Sequence, residues 1–212
     1  MPSRADLRLR LPRLALGLLG FGLGIALMVH ADLGLGPWDV LHQGISERTG
    51  IPIGTVGILV GLLLLVAWLP LRERMGIGTI ANVLVIGVII DVTLWLLPDV
   101  EALAIRIPEL VVGVLLIGLG SGAYIGAGLG PGPRDGLMTS LARRGVGSVR
   151  TVRTGIEVTA LVLGFLLGGT VGVGTVLQAV TIGPIVQFFL ERLSLPELIP
   201  TAVAGLEVDP AR

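Results

Sequence analysis

Long apolar runs separated by short polar segments are the main pattern of this chain. A helix that crosses the hydrocarbon core of a bilayer needs about 20 mainly apolar residues, and six segments meet that requirement. Residues 158–190 carry no charge, but a single helix of that length would extend about 50 Å. We therefore predict a turn at Gly168-Gly169-Thr170. The six predicted spans are residues 14–31, 51–70, 75–97, 110–128, 149–168 and 171–190.

Composition strengthens the prediction of a membrane protein. Of the 212 residues, 53% are hydrophobic and only 14% are charged, and the mean hydropathy is +0.93. A soluble domain is about 25% charged. The fold class that we predict is an all-α integral membrane protein with the lipid bilayer as its main partner. A signal peptide is the alternative for residues 14–31, but that run is longer than the ~7–15 apolar residues of such a peptide.

The positions of the arginines predict the orientation of the spans. All 15 basic residues are arginine, and with the N-terminus inside the cell only Arg48 and Arg106 fall on the outer side. This bias agrees with the positive-inside rule, so both termini are predicted to be cytoplasmic. The expected order is a basic N-terminus (1–13), two membrane segments (14–98 and 108–193) and a cytoplasmic tail (194–212).

The two membrane segments look like copies of one unit. The sequence Gly-Leu-Gly-Pro-Trp-Asp-Val-Leu at 34–41 aligns with Gly-Pro-Gly-Pro-Arg-Asp-Gly-Leu at 130–137, an offset of 96 residues. The same offset aligns Gly-Ile-Gly-Thr at 76–79 with Gly-Val-Gly-Thr at 172–175. Each copy holds three predicted spans, and an odd number makes the second copy enter the membrane from the opposite side. The sequence therefore predicts six transmembrane helices arranged as two inverted three-helix repeats, an arrangement that recurs in secondary transporters.

These motifs also carry a resemblance to a known family. Gly-Leu-Gly-Pro-Trp-Asp after the first span and Gly-Ile-Gly-Thr at the third resemble the YczE/YyaS/YitT family of bacterial membrane proteins. The resemblance covers residues 14–193, and the short tail makes the chain similar to the YczE-like form. It implies a protein of the bacterial cytoplasmic membrane and no particular activity. Arg134 stands in the second copy where Trp38 stands in the first, so gates built from them would be chemically unequal.

The two Gly-Pro-x-Asp loops are the first candidates for a functional site. A proline suits the first turn of a helix, and an aspartate is stabilised near a helix N-terminus by the macrodipole. The motif is then either a simple helix start or a gate at each mouth of a pathway, with Asp39 on the outer face and Asp135 on the inner face. The short helices that follow are expected to lie at the interface. The gate-loop candidates are Gly36, Pro37, Trp38, Gly132, Pro133 and Arg134.

Polar residues inside the predicted spans are the second group of candidates. Asp91 has no basic residue within four positions, and an unpaired carboxylate in a bilayer costs several kcal/mol, so it either serves function or hydrogen-bonds to another helix. Glu157 has Arg153 one turn before it, so an ion pair and a functional role are both open. The further substrate or coupling candidates are Asn82, Gln178 and Gln187.

Metal and cofactor chemistry receives little support from the sequence. His30, Asp32, Asp39 and His42 are expected to gather at the outer mouth, where a metal site is conceivable. The second copy lacks most of these residues, so interfacial polarity explains them better, and we predict no metal site and no cofactor. The chain has no cysteine and two histidines, and no catalytic motif is present, so we do not predict an enzyme.

The leading functional hypothesis is a secondary transporter or permease for a small solute. Asp91 or Glu157 would titrate during the cycle, and the Gly-Pro-x-Asp loops would flank opposite openings. The alternative is a non-transporting accessory or regulatory subunit of the membrane. Homo-oligomers and membrane partners are left open, no nucleic acid is expected, and the sequence does not identify the solute.

Overall fold

Eight α-helices make up most of residues 4–194, the part of the chain that the computed structural model describes, and this part contains no β-strand. Most of the predicted tail, residues 195–212, lies outside it. We number the helices in chain order. They are α1 (Arg4–Ala31), α2 (Pro37–Thr49), α3 (Ile53–Leu71), α4 (Ile77–Leu96), α5 (Leu103–Gly126), α6 (Pro133–Arg143), α7 (Val149–Leu166) and α8 (Val173–Leu193).

Five of the described helices are long and apolar enough to cross a membrane, and each corresponds to one of the predicted spans. They are α1 from Leu7–Ala31, α3, α4, α5 and α8. Helix α7 is not apolar enough to be among them, because its 18 residues include Arg150, Arg153 and Glu157. The protein is therefore an α-helical membrane protein, and a sixth crossing by α7 stays a prediction.

Some helices extend beyond the predicted spans, because charged residues next to the apolar run are also helical. Helix α1 begins at Arg4 rather than at residue 14. Arg10 lies on it, is buried, and donates from Nη1 to the carbonyl of Ala127 at 3.3 Å. A long arginine side chain can cover apolar surface with its stem and still bring its guanidinium to an acceptor. The predicted turn at 168–170 is confirmed, since α7 ends at Leu166 and α8 begins at Val173.

The helix starts repeat with the offset found in the sequence. Helices α2, α3 and α4 begin at residues 37, 53 and 77, and α6, α7 and α8 begin at 133, 149 and 173, each 96 residues later. Pro37 and Pro133 both occupy the first turn of their short helices, as the sequence predicted. We call α1–α4 the N-terminal half and α5–α8 the C-terminal half.

Helices α1 and α5 form the most intimate contact between the two halves. Gly17 faces Gly120, and Gly24 faces Gly113, so the two helices run antiparallel. A Cβ atom on Gly24 would lie 2.6 Å from the carbonyl oxygen of Gly113, and one on Gly113 would lie 2.8 Å from that of Gly24. Small residues permit such backbone approach, and close packing is what associates helices in lipid.

We predict that Gly120→Ala destabilises the protein by about 1–3 kcal/mol, the usual cost of overpacking. The added Cβ would lie 2.5 Å from the backbone nitrogen of Phe21 and 2.6 Å from the oxygen of Gly17. Gly20→Ala is the matched control, because its Cβ would find its nearest neighbours at 3.8 Å. Unfolding in detergent, followed by circular dichroism, measures both. Equal stability of the two variants would contradict the importance of this crossing.

Candidate functional site

The two Gly-Pro-x-Asp loops dock onto the opposite half of the molecule. The carbonyl of Leu33 accepts a hydrogen bond from the amide of Gly174 at 2.7 Å, and the carbonyl of Leu129 accepts one from the amide of Gly78 at 2.9 Å. The first loop thus binds the start of α8, and the second binds the start of α4. Each loop is therefore positioned by the half to which it does not belong.

The Gly-x-Gly-Thr motifs explain why these helix starts accept a loop. The hydroxyl of Thr79, which is fully buried, donates to the carbonyl of Pro131 at 2.8 Å and accepts from the amide of Gly76 at 3.3 Å. Thr175 accepts from the amide of Gly172 in the same way at 3.2 Å. The threonine therefore caps its own helix, and the flanking glycines leave room for the incoming backbone.

Helices α2 and α6 start inside the molecule and run to its ends. Helix α6 begins beside Trp68, whose Nε1 donates to the carbonyl of Pro133 at 3.0 Å. Its last turn reaches the loop after α3, where the Arg143 guanidinium donates to Glu73 and lowers the pKa of that carboxyl. Helix α2 ends similarly, with Arg48 Nε donating to the carbonyl of Leu167 at 3.1 Å. Both helices thus direct their N-termini inward.

A charged cluster lies where these N-termini meet. Arg134 Nη2 lies 3.9 Å from Asp39 Oδ1, and His42 Nδ1 lies 3.7 Å from the same oxygen. The Arg134 guanidinium also stacks over the ring of Trp38, 4.8 Å from its centroid. Asp39 and His42 are only 6% and 4% exposed. These two distances exceed those of hydrogen bonds, and Asp39 Oδ1 has no hydrogen-bond partner among the described residues.

The second aspartate of the motif belongs to the same cluster. Asp135 accepts a hydrogen bond at Oδ2 from the hydroxyl of Tyr124 at 3.3 Å. Arg134 interacts electrostatically with both Asp39 and Asp135. Asp135 is exposed, so it lies at the edge of the cluster, next to Arg134 in the chain.

Several polar atoms of the cluster lack a hydrogen-bond partner among the described residues. A buried polar atom without a partner costs about 1–3 kcal/mol, and four of them in one place indicate a site that receives a ligand, a proton or water. The indole N–H and the aspartate oxygen come from α2, and the amide of Gln178 approaches from α8 beside Gly36. The atoms are Trp38 Nε1, Asp39 Oδ1, His42 Nε2 and Gln178 Oε1.

A groove of about 240 Å³ between α2 and α7 borders this cluster at Trp38. Its floor is apolar, and it lies between the two halves. Trp38 lines the groove with one part of its side chain and contacts Arg134 with its ring. The lining residues are Trp38, Leu41, Gly155, Ile156, Thr159, Ala160 and Leu163.

The gate loops are thus not placed as the sequence suggested. We expected Asp39 and Asp135 at opposite faces of the membrane, on helices at the interface, but Asp39 is buried and lies 3.9 Å from Arg134, the chain neighbour of Asp135. The reason is that each loop bends inward to reach the opposite half, which the local sequence does not reveal.

The expected cluster at the outer mouth is also corrected. His30 pairs with Glu109, with Nδ1 and Oε2 2.9 Å apart, whereas Asp32 pairs with Arg106 at 3.3 Å. Neither joins Asp39 and His42. Among the described residues, no group of three or more histidine or acidic side chains could hold a metal ion.

Asp91 has a structural partner on the neighbouring helix. It accepts hydrogen bonds from the amides of Gly54 and Thr55 at 2.6 and 2.8 Å, and from the hydroxyl of Thr55 at 2.7 Å. Asp91 therefore caps the start of α3, where unpaired amides and the helix dipole favour an anion. Of the two alternatives left open for it, hydrogen bonding to another helix is the one found.

The remaining candidates divide between the cluster and the surface. Glu157 accepts from Arg153 at 2.9 Å, as its spacing predicted, and both interact electrostatically with Asp135. Asn82 lies on α4 near Gly132. Gln187 is exposed, and among the described residues its side chain donates a hydrogen bond to Glu191 at 3.0 Å.

One member of the cluster, Tyr124, was missed by the sequence analysis, and another, His42, was expected elsewhere. Tyr124 is the single tyrosine of the chain and lies in an apolar span, which was a usable signal. His42 was expected at the outer mouth with His30 and Asp32, whereas it is buried beside Asp39.

These observations define an α-helical membrane protein with a buried charged site between two halves. Residues 9–191 match the protein family described as "Family of unknown function (DUF6198)", and the chain belongs to that family. It is 42% identical over 186 residues to an "Uncharacterized protein" of Haemophilus influenzae, covering 88% of this chain and 84% of the relative.

Two Bacillus subtilis proteins confirm the resemblance to YczE-like proteins. The "Uncharacterized membrane protein YczE" is 36% identical over 179 residues, which cover 83% of each chain. The "Uncharacterized protein YyaS" is 28% identical over 180 residues, covering 82% of this chain and 89% of the relative. No solved structure matches the chain.

We predict that Asp91→Ala lowers the free energy of unfolding by about 1–3 kcal/mol, because it leaves the amides at the start of α3 unpaired. Gln187→Ala, 96 residues later and exposed, is the matched control and should change stability by less than about 0.5 kcal/mol. Denaturant unfolding in detergent measures both. If Asp91→Ala were as stable as the wild type, the capping role would be wrong.

Proposed function

We propose that this protein is a secondary transporter that moves a small solute across the bacterial cytoplasmic membrane. In this proposal six helices cross the bilayer as two inverted three-helix repeats, with α7 as the sixth, and both termini are cytoplasmic. The short helices α2 and α6 enter the membrane from opposite sides and return to the side from which they came.

Three observations support the inverted arrangement. The helix starts repeat after 96 residues, α1 and α5 run antiparallel through their matched glycines, and the arginines are strongly biased to one side. The docking contacts are reciprocal as well: Leu33 with Gly174 and Leu129 with Gly78 are related by the same offset. Two similar halves in opposite orientations can exchange conformations at similar energy, which is the physical basis of alternating access.

The observation that carries the proposal is the cluster in which the buried Asp39 and His42 meet the half-buried Arg134. Transporters with broken helices place their substrate where half-helix N-termini converge, and here α2 and α6 begin at the cluster. The unpaired atoms of Trp38 and Gln178 offer one donor and one acceptor for orienting a polar solute. The groove beside Trp38 has a volume of about 240 Å³, which suits only a small molecule.

Charge balance suggests that protons couple the transport. Asp39 is 6% exposed, and the half-buried guanidinium of Arg134 lies 3.9 Å from it, so its charge is incompletely compensated. An uncompensated buried charge costs several kcal/mol, so the binding of one proton, or of a cation, stabilises the cluster. In our proposal Arg134 pairs more closely with Asp39 in one state and with Asp135 in the other, and proton binding decides between them.

Uptake by proteoliposomes tests this function. Vesicles with a pH gradient, acidic outside, are offered a defined mixture of amino acids, organic acids, sugars and nucleosides, and retained solutes are measured by mass spectrometry. We predict that Asp39→Asn and Arg134→Gln lower accumulation at least about tenfold, because each change of ~1.4 kcal/mol in the energy of a limiting step alters its rate tenfold. Glu47→Gln is the control, since Glu47 is an exposed carboxylate on α2.

The outcomes separate the two functional hypotheses. Accumulation that collapses with the gradient and fails in both cluster variants supports a coupled transporter. If Asp39→Asn accumulated solute like the wild type, proton coupling at this site would be wrong. No accumulation of any solute, together with stoichiometric copurification with another membrane protein, would favour the accessory role.

A further inference from the structure

Helices α3 and α4 pack tightly, and glycine makes this possible. A Cβ atom on Gly54 would lie 2.0 Å from the carbonyl oxygen of Gly87, and one on Gly61 would lie 2.8 Å from Val83. Val83 is 5% exposed. Asp91 closes the end of this pair by capping the start of α3. The α3–α4 face is therefore dry and closed.

The corresponding helices of the C-terminal half, α7 and α8, do not pack along each other. A Cβ atom on Gly183, the counterpart of Gly87, would find no atom within 4 Å. Ala179, the counterpart of Val83, is exposed. The two halves therefore differ here although their helix starts coincide.

The residue types on α7 explain this difference. The positions of α3 that face α4 include Gly54, Ile58 and Gly61, and 96 residues later stand Arg150, Thr154 and Glu157. Side chains of this size and charge cannot reproduce a contact that depends on glycine. The helix start is also held differently, because Ser148 caps α7 by accepting from the amide of Thr151 at 3.1 Å.

The polar face of α7 leads toward the charged cluster. Arg153 and Glu157 form an ion pair on this helix, and both interact electrostatically with Asp135. Glu157 also interacts with Arg134. Helix α7 also lines the groove that Trp38 of the cluster borders, so the polar helix and the cluster are adjacent.

We infer that the face between α7 and α8 is the water-filled access route by which a hydrophilic solute and protons reach the cluster. Water is favoured over lipid, because charged side chains in contact with hydrocarbon cost several kcal/mol each and α7 carries three. The closed α3–α4 pair is the shut counterpart on the other side of the membrane. The side of the membrane to which the route opens depends on the proposed inverted topology, whereas the presence of water in the route does not.

Cysteine accessibility tests the inference directly, because the chain has no cysteine. Ala179→Cys and Val83→Cys occupy equivalent positions, as do Thr154→Cys and Ile58→Cys. Each variant is labelled in native membranes with a membrane-impermeant maleimide. We predict at least about tenfold faster labelling of the cysteines at 179 and 154 than of their counterparts, because thiol reactivity follows exposure to water.

The outcomes decide between water and other occupants of this face. Labelling at 179 and 154 that occurs only after extraction into detergent would mean that lipid or another protein covers the face, and it would overturn the inference. Equal labelling within each pair would overturn it too. Gly183→Cys is a second variant, since its side chain meets no neighbour, and it should label like position 179. Labelling as predicted in a protein that transports nothing would preserve the route and refute the transporter.

Discussion

The fold depends on the need to pair every backbone polar group away from water. In a bilayer, irregular backbone is tolerated only where the protein itself supplies the partners. The loops that end at Gly36 and Gly132 meet this need with the first amides of α8 and α4, through Leu33 with Gly174 and Leu129 with Gly78. Those amides are themselves without partners inside their own helices. In each case one hydrogen bond thus pairs a loop carbonyl with a helix amide that lacks a partner in its own helix. The same hydrogen bond joins the two halves.

The buried cluster follows from this pairing. Once the first loop is drawn to the opposite half, the short helix after it must start inside the protein, and Asp39 is buried with it. Asp39 therefore meets Arg134, although 95 residues separate them along the chain. The left-handed backbone at Gly34, with φ of 108°, permits the bend that brings the first loop inward. The same contact that satisfies the backbone thereby creates the charged site.

Sequence reasoning succeeded where the determinants are local. Hydropathy predicted the apolar helices, the repeated motifs predicted the starts of α2 and α6, and an i, i+4 spacing predicted the pairing of Arg153 with Glu157. It failed where the partner is remote. Nothing near Asp91 along the chain points to the amides of Gly54 and Thr55, and the polarity of α2 does not tell whether its polar face meets water or an arginine of the other half. Depth in the protein is a tertiary property.

The differences between the two halves are as informative as their similarity. The tight packing of α3 on α4 needs Gly54 and Gly61, and Arg150 and Glu157 at the corresponding positions forbid the same contact between α7 and α8. A perfectly symmetric pair of halves would have no preferred state, because opening either side would cost the same. Replacing glycine by charge in one copy makes hydration of that copy favourable and packing unfavourable. In the proposed transporter, this sequence asymmetry would bias the resting state toward opening at the α7–α8 face, and a solute or proton bound at the cluster would have to supply the free energy that closes it.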